Sequence, residues 1–583
     1  MTGRTTGPGI AQEPRLDQDD DVRGSSAAQR YLAELRALGV QTLFVNAGTD
    51  FAPLVEAYAQ GGSAIGRYPV PVLAGHENVA AGMAHGAYLM TGQPQAVMFH
   101  VSVGTANAVS AVINAARERV PMIVTAGRTP ILEDGALGAR DTAIHWAQEM
   151  YDQAGMVREV VKWDYELRNA AQVEAVLRRA VSIASAHPRG PVYLTLPREV
   201  LAETAPETDA ADPAPPLVVP TGPAADPAAV QILADRLAQA RYPVIVTTSA
   251  GADHQTVAML SELCERYAVG VAEAGPRYLN VSADHPFHLG LATEAFPDAD
   301  VLLFLECDVP WIARRGEPRT DAFVAQAGLD PLTSDYPMRT HRLDLGITTS
   351  AASLLTALEG ALADRTEQIP PTRADMLAGR AEEHRRRLQA TLPRQGRGPI
   401  TKAALTQALS EVLDDDAVVF NEYWADPRIL RRRRPGTYFY LPAAGGLGWA
   451  LPAALGAKHA APDRTVVAAV GDGAYLFANP AACHHASAKH GLPVLTIIAN
   501  NERWDAVDAS TRSVYPGGIA VRMDESRLSN LAPQPAFARY AEASGGFGEE
   551  VTDIDQLRPA LRRALHAVDV EGRQALLDVR CAR

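Results

Sequence analysis

Short and almost wholly apolar segments recur along the chain, with alanine-rich helical patterns between them. The pattern is clearest in TVVAAV, which begins at Thr465, and in VLTIIA, which begins at Val494. Strands that are apolar at every residue are typical of parallel sheets covered by helices on both faces. The alternation therefore predicts an α/β fold built from doubly wound parallel sheets.

Two low-complexity segments divide the 583 residues into three blocks. Residues 205–229 are rich in Pro and Ala, and residues 366–398 mix proline with a charged helical pattern, so both are predicted linkers. The three blocks are predicted to be α/β domains of ordinary size, at residues 25–204, 230–365 and 399–583. Residues 1–24 lack the apolar core of a signal peptide and are predicted to be a disordered tail.

Composition narrows the range of partners and locations. The formal net charge is -14, and no basic stripe is visible, which argues against a nucleic-acid partner. No run approaches the roughly 20 apolar residues that a membrane-spanning helix needs. The cysteines are far apart and form no CxxC pair, which is typical of buried thiols in a reducing cytosol. We expect a soluble, cytoplasmic protein with no membrane partner.

An acid and two amides follow neighbouring strands of the third block. Asp472 stands between two glycines directly after the first strand, and Asn501 follows the next one. A right-handed crossover brings both carboxyl ends to one edge of the sheet, where open α/β sheets bind ligands. Carboxylate, amide and carbonyl oxygens are the ligands that Mg²⁺ prefers, usually together with phosphate. The unit predicts a magnesium and phosphate site, although Gly-Asp-Gly alone is a common turn.

The segment GDGAYLFANPAACHHASAKHGLPVLTIIANN resembles the signature of thiamine-diphosphate-dependent enzymes, which anchors Mg²⁺ and the diphosphate of the cofactor. The resemblance implies that Asp472 and Asn501 are side-chain ligands of the metal and that Arg503 provides its main-chain carbonyl. It also implies that Gly473 and Ala474 bind the cofactor. Many relatives have Ser or Thr in place of Ala474, so a hydroxyl contact is lost here while the backbone amide remains.

The resemblance implies that Glu77 supplies the carboxyl group that such enzymes place beside the aminopyrimidine. It lies where an apolar strand turns into a small-residue helix, in VLAGHENVAAGMAHGAYLMTG. A carboxyl group in an apolar setting has its charged form disfavoured, so it can share a proton with the ring and favour the imino tautomer. The cofactor then acts as the electron sink. Taken alone, the position of Glu77 favours a helix N-terminal acid stabilised by the helix dipole, and the magnesium unit is what favours the catalytic role.

Another segment, AGGLGWALPAALGAK, resembles the part of these enzymes that bends the cofactor into a V shape. By that match Leu447 is the wedge, and the carbonyl of Gly445 receives the 4′-amino group.

Other segments resemble particular branches of the family. FHVSVGTANAVSAVINAARERVPMIVTAG is similar to benzoylformate decarboxylase, and DPLTSDYPMR is similar to acetolactate synthase. By the similarity to benzoylformate decarboxylase, His100 takes the position of a catalytic histidine. Thr49 takes the position of a residue that contacts the substrate carboxylate. Each has a structural alternative: His100 could be a hydrogen-bonded structural histidine, and Thr49 could be a turn residue. A second catalytic histidine has no evident counterpart, because CDVPWIARRGEP stands near its position.

The resemblance implies a lyase or transferase that cleaves or forms C–C bonds at 2-oxo acids or 2-hydroxy carbonyls, with thiamine diphosphate and Mg²⁺. Decarboxylase chemistry results if a proton completes the reaction, and carboligation results if a second aldehyde or ketone does. The alternatives are a 2-hydroxyacyl-CoA lyase-type enzyme and a non-catalytic nucleotide-binding relative of the fold. FAD in the middle domain stays an open alternative that no motif indicates.

The family also implies an assembly. Its cofactor lies between the first domain of one subunit and the third domain of another, so Glu77 and Asp472 would share a composite site. This implies at least a homodimer and favours a homotetramer. The run from Arg431 to Arg434 stays open between a site for a phosphorylated or CoA-linked substrate and a surface or subunit contact.

Overall fold

A computed structural model of the chain describes residues 25–61, 66–205, 217–392, 398–524 and 527–582. Within these residues there are three sheets, each of six parallel strands, so the predicted α/β fold is confirmed. The tail predicted at residues 1–24 lies outside the described residues, as do residues 206–216 of the first predicted linker.

The first sheet belongs to the N-terminal unit. Its strands are β1 (Thr42–Val45), β2 (Val70–Leu73), β3 (Gln95–Phe99), β4 (Met122–Arg128), β5 (Asp164–Glu166) and β6 (Val192–Pro197). They lie in the order β2-β1-β3-β4-β6-β5. The helices are α1 (Ala27–Ala37), α2 (Ala52–Gln60), α3 (Glu77–Thr91), α4 (Val101–Arg117), α5 (Ile144–Ala147), α6 (Val173–Ser185) and α7 (Arg198–Ala202).

The second sheet forms the middle unit. Its strands are β7 (Pro243–Thr247), β8 (Gly270–Glu273), β9 (His288–Leu291), β10 (Val301–Leu305), β11 (Phe323–Gly328) and β12 (Leu345–Thr348). They lie in the order β12-β11-β10-β7-β8-β9. The helices are α8 (Pro227–Gln239), α9 (Gln255–Tyr267), α10 (Ala292–Ala295), α11 (Ala351–Ala363) and α12 (Arg373–Thr391).

Helix α12 occupies most of the second predicted linker, residues 366–398, and packs on the middle unit. Leu377 and Ala381 are buried in its core. The buried guanidinium of Arg373 donates hydrogen bonds to the carbonyls of Leu237 and Tyr267 at 2.8 and 2.6 Å. This segment is therefore part of the middle unit's packing.

The third sheet forms the C-terminal unit. Its strands are β13 (Val418–Glu422), β14 (Tyr438–Tyr440), β15 (Val466–Gly471), β16 (Leu495–Asn500), β17 (Phe547–Val551) and β18 (Ala575–Arg580). They lie in the order β14-β13-β15-β16-β18-β17. The helices are α13 (Lys402–Val412), α14 (Pro427–Leu430), α15 (Ala450–Ala460), α16 (Asp472–Phe477), α17 (Pro480–His490), α18 (Asp505–Val514), α19 (Ile519–Arg522), α20 (Ala538–Glu542) and α21 (Ile554–Asp569).

Helices α3 and α15 join the N-terminal and C-terminal units through glycines. A Cβ atom at Gly86 would lie 1.8 Å from the carbonyl oxygen of Ala453, and one at Gly456 would lie 1.8 Å from that of Met83. The two backbones therefore touch, and both helices contribute to one hydrophobic core. This contact fixes the start of α3 relative to the loop before α15. None of the helices in the described residues is long and apolar enough to cross a membrane.

Candidate active site

Asp472 is the first residue of α16, at the carboxyl end of β15, and only 2% of it is exposed. Its Oδ1 accepts a hydrogen bond from the backbone N–H of Gly473 at 2.9 Å. Its Oδ2 accepts from Nε2 of Gln534 at 2.6 Å and from the backbone N–H of Arg503 at 3.3 Å. The carboxylate is thus held in one orientation at the edge of the sheet.

Asn501 follows β16, the next strand. Its side chain and that of Asp472 accept hydrogen bonds from the same backbone amide. The Oδ1 of Asn501 accepts from the same Arg503 N–H at 3.2 Å. The backbone turns back at Glu502, which has a φ of +60°. The guanidinium of Arg503 pairs with Asp508 at 2.6 Å. The structure therefore brings the oxygens of Asp472 and Asn501 together at the backbone of Arg503.

The chemistry of this corner fits a divalent cation. Burial raises the pKa of the Asp472 carboxyl, so its ionised form gains from a nearby positive charge. The Oε1 of Gln534 is buried and has no hydrogen-bond partner in the described part of the chain. The described residues contain no group of three or more His, Cys, Asp and Glu suited to a metal ion. A cation here would rely on mixed carboxylate, amide and carbonyl oxygens, which suit Mg²⁺.

Gly473 is required by close packing. A Cβ atom at this position would lie 2.5 Å from the indole ring of Trp504. The following residue, Ala474, is 4% exposed. Trp504 packs edge-on against Phe477 at the other end of α16, with ring centroids 5.4 Å apart. The short helix that begins at Asp472 is therefore held from the side by Trp504.

The loop before α15 contains the two residues predicted to hold the aminopyrimidine. Gly445 has a φ of +66°, which favours glycine, and its N–H donates to the carbonyl of Pro442 at 2.8 Å. Leu447 is partly buried against the hydrophobic core shared by the N-terminal and C-terminal units. The loop is a defined turn with its apolar side chain anchored in that core.

Glu422, which no sequence motif indicates, ties this loop to β13. Its fully buried carboxylate accepts backbone hydrogen bonds from Gly448 at 2.8 Å, Trp449 at 3.1 Å and Ala450 at 2.9 Å. Burial raises the pKa of the Glu422 carboxyl to about 7, although these three N–H groups favour its ionised form. The next residue, Tyr423, has a φ of +91°. Such strained backbone is common at functional sites.

Glu77 is the first residue of α3 and is 7% exposed. Its Oε2 accepts a hydrogen bond from Nδ2 of Asn107 at 3.1 Å and lies 3.8 Å from Nδ1 of His76. A Cβ atom at Gly104 would lie 3.1 Å from Oε1 of Glu77. The carboxyl group is therefore confined by α4, with Asn107 as its hydrogen-bond donor.

His100 and Thr49 lie at the same edge of the first sheet, linked through Asp50. The Nδ1 of His100 is 2.5 Å from Oδ1 of Asp50, which is 3% exposed. The hydrogen bond to Asp50 raises the pKa of His100, and burial opposes it. Gly48 packs directly against the imidazole, and Thr49 is exposed at the start of the turn Thr49–Phe51. The structure thus assembles a polarised histidine next to an exposed hydroxyl.

The middle unit borders two cavities. One of about 630 Å³ adjoins Ala443 and Ala444, directly before Gly445, and Trp311, Ile312 and Arg315 of the middle unit also line it. The other, of about 720 Å³, lies between the N-terminal and middle units.

The arginine run that begins at Arg431 makes intramolecular contacts. The guanidinium of Arg432 is buried and donates to the carbonyl of Ala417 at 2.9 Å. Arg433 pairs with Asp284 at 2.8 Å. Arg432 and Arg433 therefore stabilise the C-terminal unit and its contact with the middle unit.

Family models match parts of the N-terminal and C-terminal units. Residues 26–156 match the family model described as thiamine pyrophosphate enzyme, N-terminal TPP binding domain, and residues 421–579 match the C-terminal TPP binding domain. The chain is 29% identical to a benzoylformate decarboxylase of Pseudomonas aeruginosa, over 94% of this chain and 97% of that protein. It is 27% identical to an acetolactate synthase large subunit of Mycobacterium tuberculosis, over 91% and 92%.

A solved structure shares the fold. The thiamine diphosphate-dependent 4-hydroxybenzoylformate decarboxylase of Rhodococcus jostii RHA1 superposes with a TM-score of 0.76 at 22% identity, covering 96% of this chain and 99% of that one.

Proposed function

Because the chain belongs to the family of thiamine pyrophosphate enzymes, we propose that it uses thiamine diphosphate and Mg²⁺ to cleave or form a C–C bond at a 2-oxo acid or 2-hydroxy carbonyl. The named relatives are decarboxylases and synthases, and the chain is an enzyme of this kind. One observation carries the proposal. The oxygens of Asp472 and Asn501, at the ends of adjacent strands, meet at the same backbone amide, that of Arg503.

These residues would hold the metal that anchors the diphosphate. Asp472 and Asn501 would contribute side-chain oxygens, and Arg503 would contribute its main-chain carbonyl. Gly473 and Ala474 would lie against the diphosphate at the start of α16. When bound, thiamine diphosphate supplies a carbon nucleophile and an electron sink for the acyl group.

The loop before α15 and Glu77 would position the aminopyrimidine. Leu447 would support the bend of the cofactor, and the Gly445 carbonyl would accept its amino group. Glu77 would exchange a proton with the ring, and Asn107 fixes the carboxyl oxygen that is not needed for that exchange.

His100 is assigned to proton transfer at the substrate. Its Nδ1 is bound to Asp50, so Nε2 is the nitrogen left to face a substrate, near Gln148 at 3.3 Å. Asp50 stabilises the protonated ring, and a histidine with a raised pKa can give up or take a proton near neutral pH. Thr49, exposed beside this pair, would donate a hydrogen bond to the substrate carboxylate.

The substrate side chain is assigned to the cavity of about 630 Å³ beside Ala443 and Ala444. Trp311 and Ile312 give it an apolar surface, and Leu291 and Phe296 extend that surface. The lining also includes the charged residues Arg117, Glu273, Arg277, Asp308 and Arg315. Small-molecule sites typically combine an apolar surface with polar groups that orient the ligand. We therefore favour a 2-oxo acid with a bulky apolar group over pyruvate.

The proposed assembly is at least a homodimer, in which Glu77 of one subunit and Asp472 of another share a cofactor. The hydrogen bonds described for Glu77 lie within the N-terminal unit, and those of Asp472 lie within the C-terminal unit. This separation is compatible with a site completed by a second copy. A homotetramer and a cytoplasmic location are part of the same proposal.

Calorimetry and product analysis test the proposal. The purified protein is titrated with thiamine diphosphate in the presence of Mg²⁺ and, separately, with ATP or NAD. Tight binding that requires Mg²⁺ is expected for thiamine diphosphate alone. Benzoylformate and pyruvate are then supplied with and without benzaldehyde as acceptor, and carbon dioxide and acyloin are measured. Binding of ATP or NAD without thiamine diphosphate would overturn the proposal, and the products distinguish decarboxylation from carboligation.

A further inference from the structure

Asn114, on α4 of the N-terminal unit, makes a reciprocal contact with the loop before α15. The residue is 3% exposed. Its Nδ2 donates to the carbonyl of Gly446 at 2.8 Å, and its Oδ1 accepts from the N–H of Gly446 at 3.0 Å. Both backbone polar groups of one residue are thereby bound by one side chain. Gly446 lies between Gly445 and Leu447, so the contact sets the orientation of the peptide planes on either side.

The contact requires glycine on the loop. A Cβ atom at Gly446 would lie 2.7 and 2.8 Å from Oδ1 and Nδ2 of Asn114, and 2.8 Å from Oγ of Ser110. These distances are shorter than any ordinary carbon contact, so a larger residue would push the loop away from α4. The close approach of Asn114 therefore explains why position 446 is a glycine.

Glu118, one helical turn after Asn114, holds the beginning of the same loop. Its Oε1 accepts from the N–H of Ala443 at 2.9 Å and pairs with Arg277 at 2.7 Å. Its Oε2 accepts from the hydroxyl of Tyr278 at 3.1 Å. The side chain is 4% exposed. Residues of one helix face therefore bind the loop at two points.

The same helix also contacts the acid. Asn107 is seven residues before Asn114, or about 10 Å along a helix that rises 1.5 Å per residue. It donates to Glu77, as described above. A single rigid element thus connects Glu77 with the backbone between Gly445 and Leu447.

We propose that Asn114 is a positioning residue for cofactor binding, which holds the loop of Gly445 and Leu447 at a fixed distance from Glu77 of the same chain. This rests on the proposed function, because it is there that the loop receives the aminopyrimidine. Asn114 acts through the backbone of Gly446 and does not itself touch the cofactor. Loss of the Asn114 side chain leaves Asp472, Asn501 and Arg503 in place. The loop of Gly445 and Leu447 is then no longer held in its orientation.

Hydrogen exchange of the full-length protein without cofactor tests the contact itself. Asn114→Ala should speed the exchange of the Gly446 amide at least tenfold, because this N–H loses its acceptor, whereas the amides of Ala443 and Gly448 keep Glu118 and Glu422 as acceptors. Asn114→Asp keeps an acceptor for the Gly446 N–H, so its exchange rate should lie between those of the wild-type protein and Asn114→Ala. Ser110→Ala removes a hydroxyl beside the same glycine, to which the described residues give no hydrogen bond, and should leave exchange unchanged.

Cofactor titration tests the consequence. In Asn114→Ala, thiamine diphosphate binding in saturating Mg²⁺ should weaken about tenfold to thirtyfold, because binding must then order a loop that two hydrogen bonds hold in place in the wild-type protein. The near-ultraviolet circular dichroism of the bound cofactor should change, whereas KM for the 2-oxo acid at saturating cofactor should not. A folded Asn114→Ala protein with wild-type exchange and wild-type cofactor affinity would overturn the inference. If the wild-type protein binds no thiamine diphosphate, the proposed function fails, while the exchange data still decide whether Asn114 holds the loop.

Discussion

Replacing Glu422 with glutamine should change how the stability of the protein depends on pH. The carboxyl group is fully buried, and burial raises its pKa from 4.5 to about 7. The folded protein therefore binds a proton at Glu422 between these two values, where the unfolded chain has released it. By linkage, the stability that this group contributes is fully present below about pH 4.5 and is lost as the pH rises through 7. Glutamine does not titrate and removes this dependence.

The size of the effect follows from the same pKa. A rise from 4.5 to about 7 corresponds to about 3 kcal/mol, at about 1.4 kcal/mol for each pH unit. No reduction for solvent screening is needed, because the side chain has no exposed surface. The variant also loses hydrogen bonds, since its amide nitrogen cannot accept from Trp449 and Ala450 as Oε2 of Glu422 does. Relative to the ionised form of Glu422 that loss is a constant offset, and the change in hydrogen bonding when Glu422 takes up a proton is already contained in its raised pKa.

Urea unfolding of both proteins at several pH values between 4.5 and 8 provides the measurement. The quantity to compare is the difference between the two unfolding free energies, because all other titrating groups cancel in it. The wild-type protein should lose about 3 kcal/mol relative to Glu422→Gln as the pH rises across this range. Parallel curves for wild type and Glu422→Gln would refute the reasoning, since they would show that Glu422 does not titrate in this range.

Further predictions concern the chemistry of the site. Glu77→Gln should lower kcat by about 10²- to 10⁴-fold in steady-state kinetics, with cofactor affinity by calorimetry nearly unchanged; full activity would remove Glu77 from the mechanism. Asp472→Ala should abolish Mg²⁺-dependent cofactor binding, and chelation of the wild-type protein should do the same until Mg²⁺ is restored. Asp50→Asn should lower the pKa of His100, because its hydrogen bond raises that pKa. The limb of the pH–rate profile that reports His100 should then move to lower pH, and an unmoved limb would exclude His100 from it. Trp311→Ala should raise KM for benzoylformate more than for pyruvate; equal changes would place the substrate elsewhere.

The strands that the sequence shows most clearly lie inside a sheet. TVVAAV and VLTIIA belong to β15 and β16, which are buried between neighbouring strands, so nearly every residue is apolar and the strand is visible as a run. In the described part of the chain the sheets end at β2, β5, β9, β12, β14 and β17. Edge strands are short and partly exposed, and their residues need not be apolar, so they are harder to predict. Strand β11 is interior, but Gln326 interrupts its apolar run.

The site was predictable where topology alone determines proximity. Asp472 and Asn501 follow consecutive parallel strands, so the crossover rule brings them to one edge. Asn114 and Glu422 depend on contacts between distant parts of the chain, and no local pattern shows them. The sequence did contain a signal for Glu422, because Glu422 is an acidic residue at the end of a buried strand. Asp472 is comparable, since it directly follows such a strand. Asn114 interrupts the apolar face of a helix, and a buried polar side chain there needs a partner.

Helix α4 has a consequence for the assembly proposed above. In a dimer with shared sites, Glu77 would serve the cofactor bound by the neighbouring subunit, while the loop held by Asn114 would serve the cofactor of its own subunit. The helix would then run from one reaction centre to the other. Binding of cofactor at the first site would reduce the motion of α4, which also contacts the second site. The two equivalents of cofactor should therefore bind with unequal affinities.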